Sequence, residues 1–187
     1  MSKALTTVVP GSLADQAKQS GGSLAETFLS CDLIVLIDTS GSMAAPDAPG
    51  GLQRYDAACR ELATLQKTNP GKIGVIGFSG YPEFFPGGKP DFQAGGTDLA
   101  AALDYTHLID GLCDLVVISD GEPNDAESAQ ASARRYKTSK ISCVFVGPEG
   151  GMGQAFLARL ASANRGQSVT AEKTKHLASQ IERLLLA

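Results

Sequence analysis

A chain of 187 residues, 43% hydrophobic and 19% charged, is long enough to bury one core without staples. Its formal net charge is −4, with Lys and Arg scattered singly, which argues against nucleic acid and anionic membrane as partners. No apolar run reaches the about 20 residues of a membrane span.

In chain order, Lys3 precedes a weakly apolar stretch that Pro10-Gly11 interrupts, so no signal peptide is expected. Ser12-x-x-Asp15 and Ser23-x-x-Glu26 resemble capping boxes and predict two short helices. We therefore expect a helical extension over 1–30, followed by a single domain over 31–187. Strands are expected at Leu33–Asp38, Ile73–Phe78, Leu115–Ser119, Ile141–Val146 and Gln167–Thr170. Their near-continuous apolarity suits strands covered on both faces, as in a parallel sheet. Helical spacing recurs over Leu52–Lys67, Thr97–Leu108, Asp125–Lys137, Gln154–Ala163 and Lys173–Leu186. Ser79–Gly96 is rich in Gly, Pro and aromatics. It has room for a brief antiparallel edge strand near Glu83–Phe85, where prolines are tolerated; Tyr81, Phe84, Phe85 and Phe92 are expected to turn into the core, the alternative being an apolar rim that meets a partner. The expected fold is α/β: a doubly wound, Rossmann-like, mostly parallel six-stranded sheet with one antiparallel edge strand and helices on both faces.

Cys31, Cys59, Cys113 and Cys143 form no CxxC, and the histidines are His107 and His176, so neither a zinc site nor a disulfide framework is expected. Cys113 and Cys143 fit as small buried hydrophobes, and the compartment reads as reducing cytoplasm.

Ligands of open α/β sheets bind beyond the carboxyl ends of the strands. Three oxygen-rich loops lie there, each followed by a helix: D38-T39-S40-G41-S42, G95-G96-T97-D98 and D120-G121-E122-P123-N124-D125. Carboxylates and hydroxyls suit a hard cation. Residues two apart in an extended turn point the same way, so Ser40 and Ser42 face one point, and Gly41 keeps bulk away. The plainer reading of Asp38, Ser40 and Ser42 is a helix cap and turn. Asp98 and Asp125 are expected to cap helices, and Glu122 to be a loop residue.

In this order, D38-T39-S40-G41-S42, G96-T97-D98 and S119-D120-G121 resemble the complete metal-ion-dependent adhesion site of von Willebrand factor type A domains, over roughly Cys31 to Ala187. The resemblance implies hydroxyl ligands Ser40, Ser42 and Thr97, and carboxylates Asp38 and Asp120 bound directly or through water. It implies Mg²⁺, or Mn²⁺ or Ca²⁺, completed by an Asp or Glu carboxylate of a protein partner. It further implies an intracellular adaptor or complex subunit, with an AAA+ or chelatase-type ATPase or another multi-gene system as partner. One departure is that Pro86–Gly95 shows no helical pattern, although extended it spans about 33 Å.

The competing class is a metal-dependent hydrolase or phosphatase-like enzyme. A haloacid-dehalogenase-type motif needs a second acid where Ser40 stands, no G-x-S-x-G elbow exists, and no Walker motif is present. Catalysis is therefore not expected.

Overall fold

The computed structural model describes residues 7–48 and 51–170; the expected helix Lys173–Leu186 and His176 lie outside the described residues. Two helices come first, α1 (Leu13–Ser20) and α2 (Leu24–Leu29). Ser12 caps α1 by accepting from the Asp15 N–H, and Ser23 and Glu26 form a full capping box on α2. Then follow β1 (Leu33–Asp38), α3 (Arg54–Thr68), β2 (Ile73–Phe78) and β3 (Pro82–Phe84). The chain continues through α4 (Leu99–Thr106), β4 (Asp114–Ser119), α5 (Ala126–Ala133), β5 (Ile141–Phe145), α6 (Met152–Ala163) and β6 (Arg165–Thr170).

The six strands form one sheet in the order β3-β2-β1-β4-β5-β6. All neighbours are parallel except β3, which runs antiparallel to β2 with Phe78 opposite Pro82. The central strands are apolar throughout because both faces are covered. On one face Leu33, Val35 and Ile37 meet Tyr55, Ala58, Leu62 and Leu65 of α3. On the other, Ile34 and Leu36 meet Leu99 and Leu103 of α4, Ala129 of α5 and Phe156 of α6. A fully buried Leu or Ile contributes about 1.5–3 kcal/mol of transfer free energy, so these two layers hold the sheet in place.

The segment before β1 is stitched to the body. Leu13 is buried in the core with β1 and β2 residues. The Val9 and Ala14 N–H groups donate to the Gly87 and Pro86 carbonyls at 2.8 and 2.9 Å, and the Gly71 N–H donates to the Gly11 carbonyl at 2.9 Å. The connection after β3 is held further by the Tyr55 hydroxyl, which donates to the Pro90 carbonyl. No helix lies between β3 and α4, as the sequence pattern predicts.

The aromatic residues of this region divide. Phe85 is buried against the α3 face, and Phe84 packs edge-on to Phe28. Tyr81 and Phe92 are 62% and 41% exposed, contrary to the core expectation. Tyr81 lies in the turn between β2 and β3, and Phe92 lies outside the strand, where its ring rests on Tyr55. All four cysteines are free and buried. Among the described residues no helix is long and apolar enough to cross a membrane.

Candidate metal centre

Asp38 is the last residue of β1, and Asp120 directly follows β4, the parallel neighbour of β1. Sheet pairing thus brings two carboxylates to one edge. Beyond Asp38 the chain turns through a short 3₁₀ helix, Gly41–Ala44. Ser40 stands at its cap position but makes no side-chain cap hydrogen bond. Its Oγ lies 3.1 Å from the Ser42 Oγ. The two hydroxyls are therefore turned to each other, and the helix-cap reading does not account for Ser40.

Asp38 is fully buried. Its Oδ1 accepts from the Ser40 N–H at 2.9 Å, and its Oδ2 accepts from the Ser119 hydroxyl at 2.7 Å. Burial pushes its carboxyl up to about 6, against the pull of the Ser119 and Ser40 donors and with some help from the Asp120 charge. Ser119 also accepts from the Gly121 N–H at 2.9 Å, so one hydroxyl links the β1 carboxylate to the loop carrying Asp120.

Thr97 is 5% exposed. Its loop is tied to the first loop by the Gly41 N–H, which donates to the Gly95 carbonyl, and by the Ala94 N–H, which donates to the Thr39 carbonyl. Ala94 is held at φ 58, a left-handed backbone that costs about 1–2 kcal/mol without glycine. The loop is tied to the third loop by Asn124, whose Oδ1 accepts from the Thr97 N–H and whose N–H donates to the Thr97 carbonyl, both at 2.9 Å. The structure thus joins Ser40 directly to Ser42 and to Asp38, and links Asp120 and Thr97 to them through neighbours. Asp98 and Asp125 cap α4 and α5, and Glu122 lies in the loop between β4 and α5.

The sequence motifs assign no role to Ser119, Asn124 or Arg54. Arg54 opens α3; its Nε and Nη2 bind the two oxygens of Asp47 at 2.7 and 2.6 Å, and its Nη1 reaches the Asp120 Oδ2 at 3.1 Å. The local signal for Arg54 is a cation at a helix N-terminus, where the dipole disfavours it. Asp120 is also fixed from below. A Cβ on Gly121 would collide with the Gly153 carbonyl, and one on Gly153 with the Asp120 carbonyl. Loop and α6 therefore meet backbone to backbone.

The donor set fits a hard divalent ion. Octahedral Mg²⁺ at about 2.1 Å needs adjacent oxygens about 3.0 Å apart, and the serine pair stands at 3.1 Å. Among the described residues no group of three or more His, Cys, Asp or Glu side chains is placed to hold a metal; a divalent ion here would draw on hydroxyls as well as carboxylates. A second concavity, a groove of about 800 Å³, is lined by Leu24, Phe28, Phe84, Tyr105 and Leu108. It offers apolar surface without converging polar groups.

No protein-family model matches the sequence, and no curated protein is significantly similar to it. Solved structures match its fold. An aerotolerance-related membrane protein from Bacteroides fragilis is 17% identical with a TM-score of 0.64, covering 83% of this chain and 98% of that one. Manganese-loaded TRAP protein from Plasmodium vivax is 19% identical with a TM-score of 0.58, covering 83% and 72%. A von Willebrand factor type A protein from Catenulispora acidiphila is 14% identical with a TM-score of 0.62, covering 83% and 42%. With its sheet order and single antiparallel edge strand, the chain has the von Willebrand factor type A fold.

Proposed function

We propose that this protein is a metal-dependent, non-catalytic protein-binding module. Ser40, Ser42 and Thr97 would hold a divalent cation, Mg²⁺ or its close substitutes Mn²⁺ and Ca²⁺, together with Asp38 and Asp120. When bound, the ion supplies a Lewis-acidic position for an Asp or Glu carboxylate of a partner protein. The chain's residues set the rest: Ser119 and the Ser40 N–H orient Asp38, and Asn124 clasps the Thr97 backbone. The observation that carries this reading is the serine pair, with hydroxyl oxygens at the spacing of adjacent octahedral ligands. The manganese-loaded structural neighbour lends it support.

The test is calorimetric titration of the purified protein with Mn²⁺, paired with capture of an acidic-residue partner in Mg²⁺ or in chelator. Wild type should bind about one ion per chain, and S40A/S42A should lose both the ion and the partner. Equal Mn²⁺ binding by the double variant would sink the assignment. Turnover of a generic phosphate ester that disappears in Asp38→Ala would overturn the non-catalytic reading.

A further inference from the structure

Resting on that metal-site reading, we infer that Arg54 is a built-in counter-cation of the site: its guanidinium shares Asp120 with the divalent ion and thereby lowers the ion's affinity. Arg54 and Asp120 are 14% and 3% exposed at their side chains, so their charges act on each other with little water between them. The position needs such an explanation. A cation in the first turn of α3 opposes the helix dipole, so the helix itself does not favour Arg54 there.

The fork is divided between two carboxylates. Two nitrogens hold Asp47 and the third holds Asp120. Asp47, 36% exposed at its side chain, draws the guanidinium toward the rim, while Asp120 draws it toward the site. The Arg54 N–H also donates to the Ala45 carbonyl at 3.1 Å, which ties the start of α3 to the turn after Ser42. Gly147 leaves room for the planar group, since a Cβ there would lie 3.4 Å from the Arg54 Cζ. A divalent ion and this guanidinium are drawn to the same carboxylate and repel each other. Affinity is then set by the difference between two attractions to Asp120, and the chain always presents one of them.

A purely structural Arg54, stapling the Asp47 turn, would lose metal affinity or leave it unchanged when replaced. A counter-cation predicts the opposite sign. We would titrate wild type, R54Q and R54K with Mn²⁺ by calorimetry at one ionic strength. R54Q should bind about tenfold tighter, because a unit charge near a divalent ion is removed, whereas R54K, which keeps the charge, should stay within about twofold of wild type. Unchanged or weaker binding by R54Q overturns the inference and leaves the metal reading standing. If neither wild type nor R54Q binds Mn²⁺, the metal reading falls and the inference with it. Wild type carries an independent readout should R54Q fail to fold. The Arg54 Nε–Hε resonance, assigned by its absence in R54K, should move as Mg²⁺ saturates the protein; a resonance that stays in place overturns the inference.

Discussion

Ser119→Ala is a sharp test of how the site is braced. The substitution removes a hydroxyl that donates to the Asp38 Oδ2 at 2.7 Å and accepts from the Gly121 N–H at 2.9 Å. Both partners of the first bond are sealed from water, with Ser119 at 1% and Asp38 at 0% exposure. A hydrogen bond to a charged group contributes about 1.5–3 kcal/mol, and a stranded buried N–H costs about 1–3 kcal/mol. Because local relaxation recovers part of each, we expect a loss of about 3 kcal/mol. For a chain of this size that lowers Tm by roughly 6–12 °C. Differential scanning calorimetry of the purified variant reads it directly. Ser128→Ala is the matched control: its hydroxyl also donates to an aspartate, Asp125, at 2.6 Å, but the pair is exposed. It should change stability by no more than about 0.5 kcal/mol. If S119A melts within about 2 °C of wild type, alongside S128A, the buried brace does not exist as described.

Gly153→Ala should destabilise by about 2–4 kcal/mol in chemical denaturation, since the new methyl meets the Asp120 carbonyl rather than a yielding side chain. Leu103→Ala, at a fully buried position on α4, should cost about 2–5 kcal/mol in the same assay. Burial works to raise the Asp110 carboxyl, but the N–H groups of Lys137, Ser139 and Thr138 outweigh it and hold it down at about 2. A carboxyl depressed on folding stabilises above its unfolded pKa of about 3.9, and this is lost as pH falls through the folded value. Asp110→Asn should therefore flatten the acid limb of a Tm-against-pH curve between about pH 4 and 2, and an unchanged limb would assign that limb to other carboxylates.

The central strands were legible because burial on two faces writes an unbroken apolar run, and β1 and β2 begin and end where the runs do. The edge strand β6 starts earlier than its pattern, at Arg165 rather than Gln167. Arg165 and Gly166 are recruited by pairing with β5, where Gly166 lies against the Ile141 carbonyl, and no local hydrophobicity announces that. The α5 pattern ran on to Lys137, yet the helix stops at Ala133. Tyr136 continues the periodicity because it is buried for another reason, with its hydroxyl donating to the Leu103 carbonyl. Within the site, Asp38, Ser40 and Ser42 could be read because their spacing is local. Ser119 reaches Asp38 across 81 residues and Arg54 reaches Asp120 across 66. Only the folded sheet brings such partners together.

The stitching of the first residues to the connection after β3 bears on how this protein can be shortened. A chain designed to start at Cys31 would look complete by its sheet, with every strand retained. It would nevertheless lose the Val9 and Ala14 donors from the Gly87 and Pro86 carbonyls, and Leu13 from the core. That connection runs on without a helix to the loop presenting Thr97. Trimming at the near end would thus loosen a ligand-bearing loop at the far end, so minimal versions built for binding studies should retain the residues from Val9 onward.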